Sequence, residues 1–438
     1  MIEKKKLLFS ILLMSPAMMP MAPAMAEAAT PSSKPLDGIG KVTLSSKPLD
    51  EPDASVNGVD SVNWEKDLEE VVVTGTRTQK FLKDTPIQTR VISSKDIARL
   101  DATNVQDLLQ QELPGVEFSY AMNQQTHLNF SGFGGQGVLF LVDGERLAGE
   151  TMDDVDFTRL SMDNVQRIEI VKGAASALYG SNATGGVINI ITKRSLDPWT
   201  LNVNARLSKH NEQRYGASFG LNGSHWNNML TANWNRRDNY DVHSAANPVT
   251  RVISTVYGDK TLNLKDQLTW NPVSGFSLTG KAGYFFRETV RSAAQPERYR
   301  DFTGGLRMNW TISADDALTA SYNFDQYDKS DYQRITRKDI RDYSNVQNTF
   351  RMLYNHSFED GDVLTVGADY LHDYLYNTNL EGSTRKQDSF DVFYQYDWRM
   401  SDKWEAVGAV RYDYFSDGKE SHLTPKINLC YKPTADLA

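Results

Sequence analysis

The sequence predicts a two-part protein: a small α+β domain followed by an all-β antiparallel transmembrane β-barrel, incomplete in this chain at about 13 strands. Three observations carry that prediction. Phe, Trp and Tyr number 10 in residues 1–198 and 36 in residues 199–438, so the chain changes character near Pro198. The later part is a succession of runs that alternate apolar and polar residues, the period of a strand with one wet face. Mean hydropathy is −0.50, and no run of roughly 18 apolar residues occurs, which excludes a helical membrane protein but not a barrel whose strands alternate.

Taken in order, residues 1–26 read as a secretory signal peptide. Lys4, Lys5 and Lys6 open it, an apolar stretch follows, and Ala24-Met25-Ala26 supplies the small residues a signal peptidase reads. Pro16, Pro20 and Pro23 argue against a buried helix there. Residues 27–66 are rich in Pro, Ser and Asp, and contain Ser32-Ser33-Lys34-Pro35-Leu36-Asp37 repeated at Ser45-Ser46-Lys47-Pro48-Leu49-Asp50. Such a composition buries no core, so a flexible periplasmic linker is expected. Residues 67–77 hold the β-prone stretch Glu69-Glu70-Val71-Val72-Val73-Thr74-Gly75. A tethered, unpaired strand suits docking on a partner's sheet edge; the alternative is a first strand of the domain that follows.

Residues 78–195 mix short helices and strands. Helices are expected over 96–100 and 105–113, the second stopped by Pro114-Gly115. Val138-Leu139-Phe140-Leu141-Val142 reads as a buried strand ending in the turn Asp143-Gly144. Residues 196–438 carry the amphipathic strands. Leu201, Val203, Ala205 and Leu207 share one face, and so do Phe390, Val392, Tyr394, Tyr396 and Trp398. The apolar face would meet lipid and the polar face a wet interior, and closure would leave no unpaired edge in hydrocarbon. Short turns at 271–275 and 359–361 alternate with long polar loops such as 239–260, the asymmetry of periplasmic and external ends. A soluble sandwich or β-helix explains the alternation but not its combination with an export signal. About 13 strands is an odd count, and the chain stops directly after one of them, so further C-terminal strands are expected.

Several function classes fall away. With 47 basic against 56 acidic residues the formal charge is −9, which disfavours nucleic acid. The single Cys430 excludes a Cys-ligated zinc site and an intrachain disulfide. Gly132-Phe133-Gly134-Gly135-Gln136-Gly137 fits G-x-G-x-x-G, but it precedes a strand where a dinucleotide site needs a helix. Gly216-Ala217-Ser218-Phe219-Gly220 fits the nucleophile elbow, yet it lies inside an alternating strand, so Ser218 is a lumen hydroxyl. No catalytic or metal constellation remains, and neither an enzyme nor a resident cofactor is expected. His127 stands out as a solvated imidazole or, alternatively, a ligand or haem contact. Glu150, Asp153, Asp154 and Asp156 lack EF-hand spacing and read as a solvated acidic loop.

Four ordered segments remain: Leu113-Pro114-Gly115-Val116, the 138–144 segment, Val165-Gln166-Arg167-Ile168-Glu169-Ile170-Val171-Lys172-Gly173 and the run from Ala177 to Thr192, all downstream of Glu69 to Arg77. Through them the chain resembles the TonB-dependent outer-membrane receptors over nearly its whole length: the four match the plug motifs of that family, and Glu69 to Arg77 looks like its TonB box. One departure is Ser131, where the family often has Arg. The resemblance implies an α+β plug domain inside the barrel, which in the family has roughly 22 strands. It also implies residence in the outer membrane of a Gram-negative bacterium and contact with its lipid. A scarce ligand would be captured at the outer face and imported with energy relayed by TonB, ExbB and ExbD. TonB would bind Glu69, Glu70, Val71, Val72, Val73 and Thr74. Ligand-side loops would include 119–127 and 147–156, with Tyr120, Asn123, His127, Glu150 and Asp153 as contacts. Haem or a ferric siderophore is the expected cargo; cobalamin, or a non-transporting surface receptor or adhesin, is the alternative. A passive porin would need neither plug nor box.

Overall fold

The computed structural model describes residues 71–72, 74–75, 80–82 and 87–432, apart from 101, 103, 121–125, 152–153, 174, 245–246, 292–293 and 402, together with the backbone of 38–45. Expectations for the signal peptide, most of the linker, Glu69, Glu70, Val73, Asn123 and Asp153 lie outside the described residues.

The plug is built on a five-stranded sheet in the order Thr89–Ile92, Val165–Lys172, Gly186–Thr192, Val138–Val142, Glu145–Arg146. Val138–Val142 runs parallel to Gly186–Thr192 and the other pairs are antiparallel. Its three central strands are mostly apolar on both faces because both are covered. Helices Ser94–Leu100 and Val105–Glu112 match the expected pair within the usual drift of helix ends. Asn104 caps the second through its side chain, which accepts from the Asp107 backbone N–H. Val105, Leu108 and Leu109 pack with Phe118, Phe130, Ile168 and Ile188 on one face. Phe157 there meets Phe118 and Phe140 edge-on, with ring centroids 5.2 and 4.8 Å apart. On the other face the short helix Ser176–Tyr179 covers Leu139, Leu141 and Val187, and Phe393 of the barrel joins that cluster.

The barrel wall is a thirteen-stranded sheet, twelve of whose strands lie between Trp199 and Tyr431; all its neighbours are antiparallel. Between those residues the structure has two more strands, Tyr240–Ser244 and Asn247–Val256, which form a separate hairpin. The expected long loop at 239–260 is therefore largely that hairpin. The sheet order has two ends, Gly38–Ser45 and Glu420–Tyr431.

Two expectations need correction. The linker is not wholly without structure, since Gly38–Ser45 pairs antiparallel along the whole of Trp199–Ser208 from Leu207 to Thr200. Trp199–Ser208 otherwise exposes a row of unpaired backbone groups, which any extended segment of the chain can satisfy. The contrast between short turns and long loops is also weaker than expected. Extra reach at the loop end comes from the strands themselves, above all Asp316–Gln333 and Lys338–Ser357 at 18 and 20 residues.

The exposed indoles gather at one end of the sheet. Trp199, Trp226, Trp270, Trp310, Trp398 and Trp404 all lie at the short-turn end and all are exposed. A row of amphipathic indoles at one level is the arrangement found at a membrane–water interface. Ser218 is buried on the inner face and receives Asn202 Nδ2 at 3.3 Å, as the alternation predicts. The Gly132–Gly137 stretch forms a bend, a two-residue strand and one 3₁₀ turn that feeds Val138–Val142. Gly132 takes φ +90°, which a glycine adopts without strain.

Candidate functional site

Two sets of contacts organise the inner surface, and both start from polar residues that the sequence places on otherwise apolar plug strands. The first is a socket for Thr74. Glu169 and Asn189 stand on neighbouring central strands, paired in register, and both are buried. Glu169 Oε2 accepts from the Thr74 backbone N–H at 2.9 Å and from its hydroxyl at 2.7 Å. Asn189 Nδ2 donates to Thr74 Oγ1 at 2.9 Å, and the Tyr179 hydroxyl donates to the Thr74 carbonyl at 2.9 Å. Arg167 balances the Glu169 charge at 2.7 Å. Val71–Val72 meanwhile pairs with Lys80–Phe81, and Val72 is buried. The segment expected as an unpaired strand is thus docked, because its Thr74 supplies both a donor and an acceptor to groups that would otherwise be buried unsatisfied.

The second set joins plug to wall. Asn189 Oδ1 accepts from the Gly144 N–H at 2.9 Å, and Gly144 O accepts from Arg351 at 2.8 Å. Asp143 accepts from the Thr192 backbone and hydroxyl and from Lys281. Burial pushes the Asp143 carboxyl up, but Lys281 and Thr192 outweigh it and bring it down to about 2. For Glu145 burial likewise raises and Arg307 and Arg351 lower, with a net fall. A continuous run of hydrogen bonds therefore leads from Thr74 through Asn189 and the Asp143-Gly144 turn to the barrel.

Further along, Arg159 is buried beneath the wall. It lies 3.2 Å from Asp301 and 3.8 Å from Asp325, and its guanidinium sits 4.8 Å from the Tyr327 ring centroid. Asp325 also accepts from the Ala148 N–H, and Asn345 from the Gly149 N–H, both at 2.8 Å. Asp156 is a correction to the solvated acidic loop: it is buried, 3.1 Å from Arg287, and accepts from the Tyr327 hydroxyl at 2.7 Å. Burial raises the Asp156 carboxyl, and Arg287, Thr158 and Tyr327 more than reverse this. Arg411, on Trp404–Phe415, pairs with Asp391 and Asp413 and reaches the Leu178 carbonyl. Apart from Asp156, which was read as part of a solvated loop, none of these arginines or acids stood out in the sequence: Arg159 and Arg287 meet partners more than 100 positions away, and Arg411 meets Asp391 on a neighbouring strand as well as Asp413 on its own.

The expected ligand contacts separate. Tyr120 and His127 belong to one hairpin, Val116–Tyr120 with Thr126–Phe130, but Tyr120 pairs with Thr126 and His127 with Ser119. Successive side chains alternate, so the two point to opposite faces. Tyr120 is 52% exposed. It lines a cavity of about 730 Å³ between plug and wall that also reaches Asp107, Arg214, Arg236, Tyr240 and Asp259. Burial and then Asp107 raise the Tyr120 hydroxyl above its ordinary range. Glu150 lies in a two-residue ladder with its backbone opposite Val155.

Residues 82–187 match the TonB-dependent Receptor Plug Domain, and residues 213–438 match the TonB dependent receptor-like, beta-barrel family. The chain belongs to the TonB-dependent receptor family. Among its relatives, this receptor is 24% identical over 380 residues to a vitamin B12 transporter, BtuB, of Photobacterium profundum, covering 84% of this chain and 60% of that protein. In fold it is similar to the ferric enterobactin receptor PfeA of Pseudomonas aeruginosa (TM-score 0.67, 16% identity, 84% of this chain and 62% of that one). It is also similar to the siderophore receptor PirA of the same organism (TM-score 0.61, 19% identity, 79% and 59%). The receptor chain thus spans about three fifths of the length of these relatives.

Proposed function

We propose that the protein is an active importer of the outer membrane, exported by its first 26 residues. On this reading it captures a scarce metal chelate and releases it to the periplasm with energy drawn through TonB, ExbB and ExbD. An iron complex, haem or ferric siderophore, is the favoured cargo, and cobalamin is the alternative that the likeness to a vitamin B12 transporter supports. The observation that carries the proposal is the Thr74 socket. A pull on residues 69–77 loads Glu169 and Asn189 directly, and Asn189 in turn holds the turn that bonds to Arg351 and Lys281. Force applied at the periplasmic end therefore reaches the plug–wall contacts through a few hydrogen bonds, each worth about 1–3 kcal/mol net. Such contacts hold the plug at rest and yield singly under load. The cavity beside Tyr120 is the proposed port for cargo.

The test separates capture from import. Cells carrying the gene at its native locus, intact, deleted or Val72→Pro, are given vitamin B12, ferric enterobactin or haemin. Proline removes a backbone donor from the docking strand. Binding that depends on the gene, with accumulation lost in Val72→Pro, is the expected result. Accumulation unchanged in Val72→Pro overturns the coupling to TonB, and no gene-dependent binding of any of the three overturns the chelate reading. Growth on haem as sole iron source, lost on deletion and restored by the intact gene, would assign the cargo as haem.

A further inference from the structure

We propose that the lipid-facing patch around Asp266 is a lateral docking surface for a second copy of this chain; this rests on the outer-membrane reading above. The outward row of Asp259–Val273 reads Leu262, Leu264, Asp266, Leu268, Trp270, and register sets Asp266 between Leu230 and Ala282. A carboxylate therefore stands in the middle of an apolar row, where charge on the lipid face is most costly. Asn228 Nδ2 donates to Asp266 Oδ1 at 2.8 Å and to the Gln267 carbonyl at 3.1 Å, which uses both amide hydrogens. Among the described residues Asp266 Oδ2 accepts no hydrogen bond, and no cation pairs with it.

The second observation is two glycines that the fold itself does not require. Gly280 and Gly304 face outward around Ala282, the residue paired with Asp266: Gly280 is opposite Leu268, and Gly304 is opposite Ala282 on the next strand. A Cβ at Gly280 would meet nothing within 4 Å, and one at Gly304 only the Lys281 carbonyl at 4.0 Å. Neither has a left-handed φ. Glycine inside a strand weakens it and often marks the close approach of another backbone, and small residues allow such approach between membrane segments. The third observation is a donor. Tyr284, one pleat from Ala282 on the same face, lies against Phe302 with centroids 5.1 Å apart, and its hydroxyl makes no hydrogen bond among the described residues.

The patch thus carries an unused acceptor and an unused donor on adjacent strands, one diagonal apart, at the margin of a low surface. Two-fold pairing satisfies both, with Tyr284 of each copy donating to Asp266 of the other, the self-complementarity an isologous interface needs. Lipid chains can satisfy neither group.

Disulfide cross-linking in native outer membranes tests this, in a Cys430→Ser background. Ala282→Cys, near the two-fold axis, should give a band of doubled mass; Val392→Cys, exposed on a distant part of the lipid face, should not. Adding Tyr284→Phe or Asp266→Leu should lower the dimer about tenfold, as the loss of two reciprocal bonds at roughly threefold each implies. Adding Gly304→Leu, whose side chain enters open space in the single copy, should abolish it while heat-modifiable gel mobility shows the barrel folded. Cross-linking of Ala282→Cys no greater than that of Val392→Cys, or unchanged by Gly304→Leu, overturns the proposal alone. Absence of the protein from the outer-membrane fraction overturns the outer-membrane reading and this proposal with it.

Discussion

At the scale of single residues, the molecule turns on a few polar side chains placed where apolar ones are the rule. Thr74→Val keeps the shape of the side chain but leaves Glu169 and Asn189 short of a partner. That should free the docked segment by about 1–3 kcal/mol, read as faster motion of a spin label at Val71→Cys in a Cys430→Ser background. Arg159→Leu should cost about 3–5 kcal/mol, because Asp301 and Asp325 stay buried without their cation. Thermal unfolding in detergent measures it, and Arg159→Leu combined with Asp301→Asn should recover part of the loss. Of these residues Thr74, Glu169 and Asn189 lie in motifs that the sequence shows, and only Thr74 was given a role there. Arg159 sits in Phe157-Thr158-Arg159, a context with no pattern, and its partners lie on strands that only the fold brings near.

At the scale of elements, alternation was enough to place the strands and their faces, and it separated Tyr120 from His127 once the hairpin register was known. Alternation could not tell that 240–244 and 247–256 pair with each other rather than with the wall, since register depends on partners. The bend at Ala148-Gly149 shows why loops resist such reading. Gly149 has φ +81°, and a Cβ there would lie 2.4 Å from the Tyr327 ring. Gly149→Ala should therefore destabilise the plug–wall contact by about 2–4 kcal/mol, combining left-handed strain with overpacking. Hydrogen exchange at residues 147–151 should speed up accordingly, while exchange in the barrel strands stays unchanged.

At the scale of the whole molecule, plug and wall meet through charges more than through a shared apolar core. Asp143, Glu145 and Asp156 are all held below their ordinary range. Their contribution is fully present above the unfolded carboxyl value near about 4. It is lost as pH falls from there toward about 2, where Asp143 titrates in the folded state. Plug docking should be constant from about pH 7 to 5 and weaken below about pH 4. Hydrogen exchange of residues 138–146, corrected for the intrinsic rate, is the measurement. Asp143→Asn should flatten the Asp143 share of that acid response.

Sequence by itself determined the two-part architecture, the outward and inward faces of the strands, and the family through its plug motifs. Each of these is written in local periodicity or in contiguous residues, so no long-range information is needed. Only the tertiary structure decided that Thr74 fits a socket of Glu169, Asn189 and Tyr179. It alone decided that Asp156 is locked to Arg287 rather than solvated, and that Arg159 lies between Asp301 and Asp325. The physical reason is that a charge or hydroxyl has the same local sequence signature whether water or a distant strand satisfies it. Which one does so is settled only when burial removes the water.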